Sequence, residues 1–146
     1  MMARRRPAGR AEPAELEPEG TLICEGFIAG RPTPWKAPTL GRNGGAVRTR
    51  DYKTYKAWQE WVALQAKLLM GRRRPYGGPV ALSARFVLAP RPGKPPDRSN
   101  LLKAFEDALE GVVLRNDTQI IDGPTTRAIT DAEPQGVRFR VVAAGR

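Results

Sequence analysis

The chain has 146 residues, is 40% hydrophobic and carries a net charge of +10 from 25 basic and 15 acidic side chains. That describes one globular domain with its own core and favours an acidic partner, nucleic acid before a membrane surface. There is no histidine, and Cys24 is the single cysteine. An internal disulfide, a Cys-based zinc site and every histidine-dependent mechanism are therefore excluded, and any metal must be held by oxygen ligands, as Mg²⁺ or Mn²⁺ is. One cysteine fits a reducing cytoplasm. No run approaches the ~18 apolar residues of a membrane span, and "MMARRRPAGR" lacks the apolar stretch of a signal peptide, so a cytoplasmic protein is expected.

Residues 1–20 are rich in Arg, Ala, Pro, Glu and Gly without periodicity and read as a disordered tail ahead of a domain over 21–146. "TLICEGFIAG" is a first strand, stopped by Gly30 and by Pro32, Pro34 and Pro38. "GRNGGAVRTR" is a basic loop. A helix is predicted from about Asp51 to Met70. Tyr55, Trp58, Val62 and Leu69 form its apolar stripe, Trp61, Leu64 and Leu68 widen it, and Lys53, Lys56, Glu60 and Lys67 lie opposite. "VALSARFVL" alternates as a half-buried strand does, with Val80, Leu82, Ala84, Phe86 and Leu88 on one side. Near the C-terminus "VRFRVV" alternates again through Val137, Phe139 and Val141. The succession strand, helix, strand, helix, strand, strand predicts an α+β fold: a compact two-layer α/β sandwich, one mixed sheet with two main helices packed on it.

The segment "KPPDRSNLLKAFEDALEGVVLRNDTQIID" gathers Asp97, Glu106, Asp107, Glu110, Asp117 and Asp122 in a basic chain. Pro95 and Pro96 hold its entry extended, Asp97 or Ser99 caps a helix, and Gly111 stops it. Leu101, Leu102, Phe105, Ala108 and Leu109 make the apolar stripe; Asn100, Lys103, Asp107 and Glu110 share the other face. The helix from Asp97 to Glu110 advances ~20 Å, and six extended residues from Gly111 to Asp117 would return about as far. On that reading Asp117 lies beside Asp97, with Lys103 in reach. Taken singly, these residues also read as a helix cap, a turn aspartate and solvated helix charges; their conjunction carries the argument.

The same segment resembles the signature of RusA-type Holliday junction resolvases. "PDRSNLLK" is followed by "DALEG" and "NDTQI" at the family's spacing, "GRPTPWKAP" is similar to its element after the first strand, and "RTRDYKTYKAWQEWV" to its basic-aromatic helix. The resemblance implies a metal-dependent endonuclease that acts on branched DNA as a homodimer, with Mg²⁺ or Mn²⁺, in recombination and repair, and commonly phage-borne. By position Asp97 and Asp117 match catalytic aspartates and Lys103 the essential lysine, while Asn100 and Asp107 match further motif positions. Two positions depart: Ser99 and Asn116 stand where the family has aspartates. The expected metal ligands are Asp97, Asp117 and, replacing the lost acid, Asp107, which shares the helix face of Asn100 and Lys103. Lys36, Arg42, Arg48, Arg50, Lys53, Lys56 and Asn100 are the expected DNA contacts; Trp35 and Tyr52 are candidates for stacking on unpaired bases, as is Tyr55, which reads first as a core residue. A PD-(D/E)xK nuclease is disfavoured because no lysine follows Lys103. A non-catalytic junction binder and a basic ribosome-associated protein are the rival classes.

Overall fold

The computed structural model describes residues 16–35, 39–40, 46–47 and 52–145. In chain order these form β1 (Leu22–Ala29), a small hairpin of β2 (Thr39–Leu40) and β3 (Ala46–Val47), α1 (Tyr52–Met70), β4 (Val80–Leu88), α2 (Arg98–Leu109), a 3₁₀ turn (Asp117–Gln119), β5 (Ile120–Asp122), β6 (Thr125–Ile129) and β7 (Gly136–Ala143). Within the span expected to be a tail, Leu16–Gly20 instead follow the domain. The Glu17 amide donates to the Tyr76 hydroxyl at 3.0 Å, and the Gly20 amide donates to the Ala143 carbonyl at 2.7 Å. The rest of that span lies outside the described residues.

The main sheet is mixed. β7 pairs antiparallel with β1 on one side and β4 on the other, and β4 pairs parallel with β5 and β6 along its far edge. The alternating residues of β4 and β7 turn their apolar sides the same way, since Ala84 sits opposite Phe139 and Phe86 opposite Val137. Both helices cover that face. Phe105 of α2 makes edge contacts with Phe86 and Phe139, at centroid distances of 5.9 and 5.2 Å. One continuous core joins these residues to Trp58, Val62, Ala66 and Met70 of α1. The α+β sandwich read from periodicity is the fold observed.

α1 differs in which side it buries. Its core stripe is Trp58, Val62, Ala66 and Met70, spaced four apart, while Trp61, Leu64, Leu68 and Leu69 are exposed. The helix lies at the margin of the layer, against α2 and over the outer strand β1, so it has too few neighbours to cover the wide apolar face expected. Trp61 uses its indole N–H to reach the Ala29 carbonyl at 2.8 Å, and Leu69 lies over Gly26, where a Cβ would stand 2.7 Å from its Cδ1.

After α2 the chain does not run back extended. Gly111, at φ +84°, opens a turn closed by its own amide on the Leu114 carbonyl at 2.6 Å, and Val113 and Leu114 are buried. The apolar "VVL" that reads as strand plugs the end of the helix layer instead. β5 and β6, two short strands separated by Gly123 and Pro124, take the expected strand's place on β4.

Candidate active site

Pro95 and Pro96 bring the chain out of the β4–α2 loop, and Asp97 caps α2. Its carboxylate accepts from the Ser99 amide and from the Ser99 hydroxyl, each at 3.0 Å. These two bonds hold the Asp97 carboxyl below the ordinary carboxylate range, and Lys94 and Arg127 push it the same way. Arg127, on β6, also donates to the Pro96 carbonyl at 2.6 Å, and Arg98 donates to the Thr125 carbonyl at 3.3 Å. The start of α2 is thus an exposed carboxylate in a cationic surround. Sequence reasoning missed Arg127 because nothing in "TTRAI" ties it to a segment thirty residues away.

One to two turns along, Lys103 lies with its ammonium 3.7 Å from the centroid of the Trp35 ring. Trp35 is fixed from the other side, since its amide donates to the Asn100 carbonyl at 3.0 Å. The "GRPTPW" element is therefore docked on α2, and one face of the Trp35 ring, expected to stack on bases, is taken by Lys103. Asn100 is half-buried within this contact.

Asp117 sits elsewhere. Because the Gly111 turn keeps the chain near the end of α2, the Asp117 amide donates to a Glu110 carboxylate oxygen at 3.4 Å. Asp97 and Glu110 flank twelve helical residues, about 20 Å of helix. The structure therefore parts Asp97 and Asp117 to opposite ends of α2, correcting the expected convergence. Asp107 goes with Asp117. Burial, Asp117 and Glu110 raise the Asp107 carboxyl while Lys103 lowers it; burial, Asp117 and Asp107 raise Glu106. Asn116, the second departure, accepts from the Thr118 amide at 2.9 Å and caps the 3₁₀ turn. Gln119 locks that turn to the domain: its oxygen accepts from the Arg115 and Asn116 amides, both at 2.8 Å, and its nitrogen donates to the carbonyls of Tyr76 and Gly78 at 2.7 and 2.8 Å.

Of the expected DNA contacts, Lys53 and Lys56 are exposed on the first turns of α1. Lys36, Arg42, Arg48 and Arg50 lie outside the described residues. The carboxylates are the right donors for a hard cation, but among the described residues no three acidic, cysteine or histidine side chains converge to hold one.

Residues 29–141 match the endodeoxyribonuclease RusA family. The chain belongs to that family. The match runs from the last residue of β1 into β7 and includes both ends of α2, so a nuclease role on DNA junctions in general follows for this RusA-family chain. No curated protein matches it significantly. Among the described residues no helix is long and apolar enough to cross a membrane.

Proposed function

We propose that the chain is a divalent-metal-dependent, structure-selective endodeoxyribonuclease that resolves four-way junctions by paired nicks, acting as a homodimer in recombination and repair. Family membership supports the reaction class, and the separation of Asp97 from Asp117 along α2 carries the dimer. Two copies of α2 running antiparallel about a two-fold axis set Asp97 of one copy against Asp117 and Asp107 of the second, twice over. α2 packs along β6, and on the neighbouring β5 Ile121 is exposed, 56%, an apolar side chain that a second copy would cover. A two-fold pair of sites also matches the symmetry of a four-way junction.

In such a site Asp97 and the second copy's Asp117 would hold the cation, Mg²⁺ or Mn²⁺, which would supply Lewis acidity to the phosphodiester. Lys103, oriented by Trp35, faces the phosphate and stabilises the charge that builds on its oxygens. Lys94, Arg98 and Arg127 draw the backbone to the Asp97 end, with Lys53, Lys56 and the loop residues Lys36, Arg42, Arg48 and Arg50 extending the track.

The test mixes two inactive variants. Asp97→Asn and Asp117→Asn each abolish Mg²⁺-dependent nicking of a synthetic four-way junction. In a heterodimer of the two, a site shared across the dimer carries either both substitutions or neither. Equal mixing then makes about half the dimers heterodimers, so about a quarter of the sites are intact, and single nicks reappear at about that level. A site within one chain gives no recovery. A second reading, junction binding without cleavage, draws on the Ser99 hydroxyl, a neutral donor that occupies the Asp97 carboxylate where the family places an acid. Tight binding of the junction by wild type, with no nicks in Mg²⁺ or Mn²⁺, decides for it; Ser99→Asp then gains cleavage.

A further inference from the structure

A cleft of about 460 Å³ lies beside the Asp97 end of α2, between the loop after β1, the first turns of α1 and the β4–α2 loop. Its walls are flat and apolar: the rings of Tyr52 and Tyr55 on one side, Pro34 and the prolines 90, 92, 95 and 96 on others, with Ile129 at the edge. Its charged lining is Arg31, Arg91 and Lys94, and among the described residues no acidic side chain lines it. Arg31 is built in. It donates to the Ala89 carbonyl and to the Gln135 side chain, both at 3.1 Å, and Gln135 in turn accepts from the Ala89 amide at 2.9 Å. These bonds tie three connections into one rim.

We propose that this cleft is a nucleobase subsite, which takes one unpaired base of the DNA against Tyr52, Tyr55 and the prolines while Arg91 and Lys94 hold its phosphate. The proposal rests on the DNA-junction reading and adds where a base is bound and why branched DNA is preferred. Ring and prolyl walls select a flat apolar group, and the cations Arg31, Arg91 and Lys94 select an anion; a nucleotide carries both. The volume lies within the range of small-molecule sites. Pro95 and Pro96 line the cleft and lead directly into Asp97, so the base it holds belongs beside the phosphate presented there. A base inside a duplex cannot enter without leaving its stack, at a cost of a few kcal/mol that is least at a branch point. The cleft therefore discriminates junction from linear duplex before any chemistry occurs.

The experiment places 5-iodo-2′-deoxyuridine at the branch of a four-way junction and, separately, within a linear duplex, and irradiates each with the full chain. Crosslinks to Tyr52 or Tyr55 from the junction, and few from the duplex, are expected. Tyr52→Leu and Tyr55→Leu should each reduce the junction-to-duplex affinity ratio at least about fivefold, the loss of one base–aromatic stack. In parallel, thymidine 5′-monophosphate is titrated against wild type and Arg91→Ala, following the Ile129 methyl by NMR. Shifts in wild type that weaken in the variant are expected. A bound junction that crosslinks elsewhere, with an unchanged ratio in both tyrosine variants, overturns the proposal. No junction preference together with Ile129 shifts sinks the branched-DNA reading and leaves the nucleotide subsite standing. Neither junction preference nor shifts sinks both.

Discussion

Lys103 shows how one side chain is prepared for a task. A lysine on an exposed helix face ordinarily samples many rotamers, and ordering it costs side-chain entropy. Here the Trp35 ring lies 3.7 Å from the ammonium, a cation–π contact of about 0.5–2 kcal/mol depending on desolvation. In the proposed reaction Trp35 acts through Lys103, as a positioning residue. Trp35→Ala is expected to lower kcat on the junction about tenfold, the equivalent of ~1.4 kcal/mol, with KM little changed. Trp35→Phe recovers part of that loss, because a benzene ring is a weaker cation site than an indole. A purely structural role instead lowers stability and leaves the kcat of the folded fraction intact, and Trp35→Phe then rescues thermal stability without altering kinetics. At the same scale Ser99, though it departs from the family pattern, has a structural task, since its amide and hydroxyl both donate to the Asp97 carboxylate and fix it at the start of α2.

At the scale of elements, the decisive stretch joins α2 to β6. β5 and β6 share one edge of β4, and the chain passes between them at Gly123, whose φ is +136°. A Cβ there would stand 1.6 Å from the Leu82 carbonyl oxygen, in a conformation that side chains other than hydrogen do not tolerate. Gly123→Ala is expected to destabilise the fold by about 3 kcal/mol or more, read as a lower denaturation midpoint, whereas Gly93→Ala on an open loop, with nothing within 4 Å, should cost about 1 kcal/mol from its positive φ alone. Equal losses at the two positions refute the packing argument. This stretch was also the least legible in the sequence. β1, α1, β4, α2 and β7 announce themselves because each carries a full period of apolar residues. β6 is exposed along most of its five residues, so "TTRAI" shows no alternation to read. "VVL" at 112–114 has strand composition but is buried as a turn. The acidic residues of the site could be picked out from composition and motif; their placement could not, because it depends on the direction the chain takes at Gly111, which local sequence does not encode. The pairing of Trp35 with Lys103, far apart in the chain, was invisible for the same reason.

Across the whole molecule, charge is polarised along α2: a cationic surround at the Asp97 end, and Glu106, Asp107, Glu110 and Asp117 at the other. That acidic end has a cost in the absence of a bound cation, and the sign of its pH dependence follows from the shifts. Glu106 and Asp107 are raised by burial and by their neighbours. Between their ordinary and raised values the folded chain binds more protons than the unfolded chain, so stability increases as pH falls from about 7 into the carboxylate range. Asp97 and Glu133, both lowered, act oppositely and lose their contribution at still lower pH, as they protonate. With no histidine in the chain, no imidazole titrates in between to mask the effect. Asp107→Asn removes one member of the repulsive group and should raise the melting temperature near neutral pH. The gain is small, at most about 0.5 kcal/mol for a partly exposed charge screened by solvent, and it should shrink on acidification as the wild-type carboxyl takes up its proton. The same substitution is expected to weaken Mg²⁺-dependent nicking, because the charge that destabilises the free chain is one that the proposed dimeric site would use. Thermal melts of both proteins across pH, paired with the nicking assay, check the two halves together. A variant that is less stable at neutral pH, or whose advantage does not change with pH, would refute the electrostatic account of this end of the helix. Unchanged cleavage would remove Asp107 from the site while leaving that account in place.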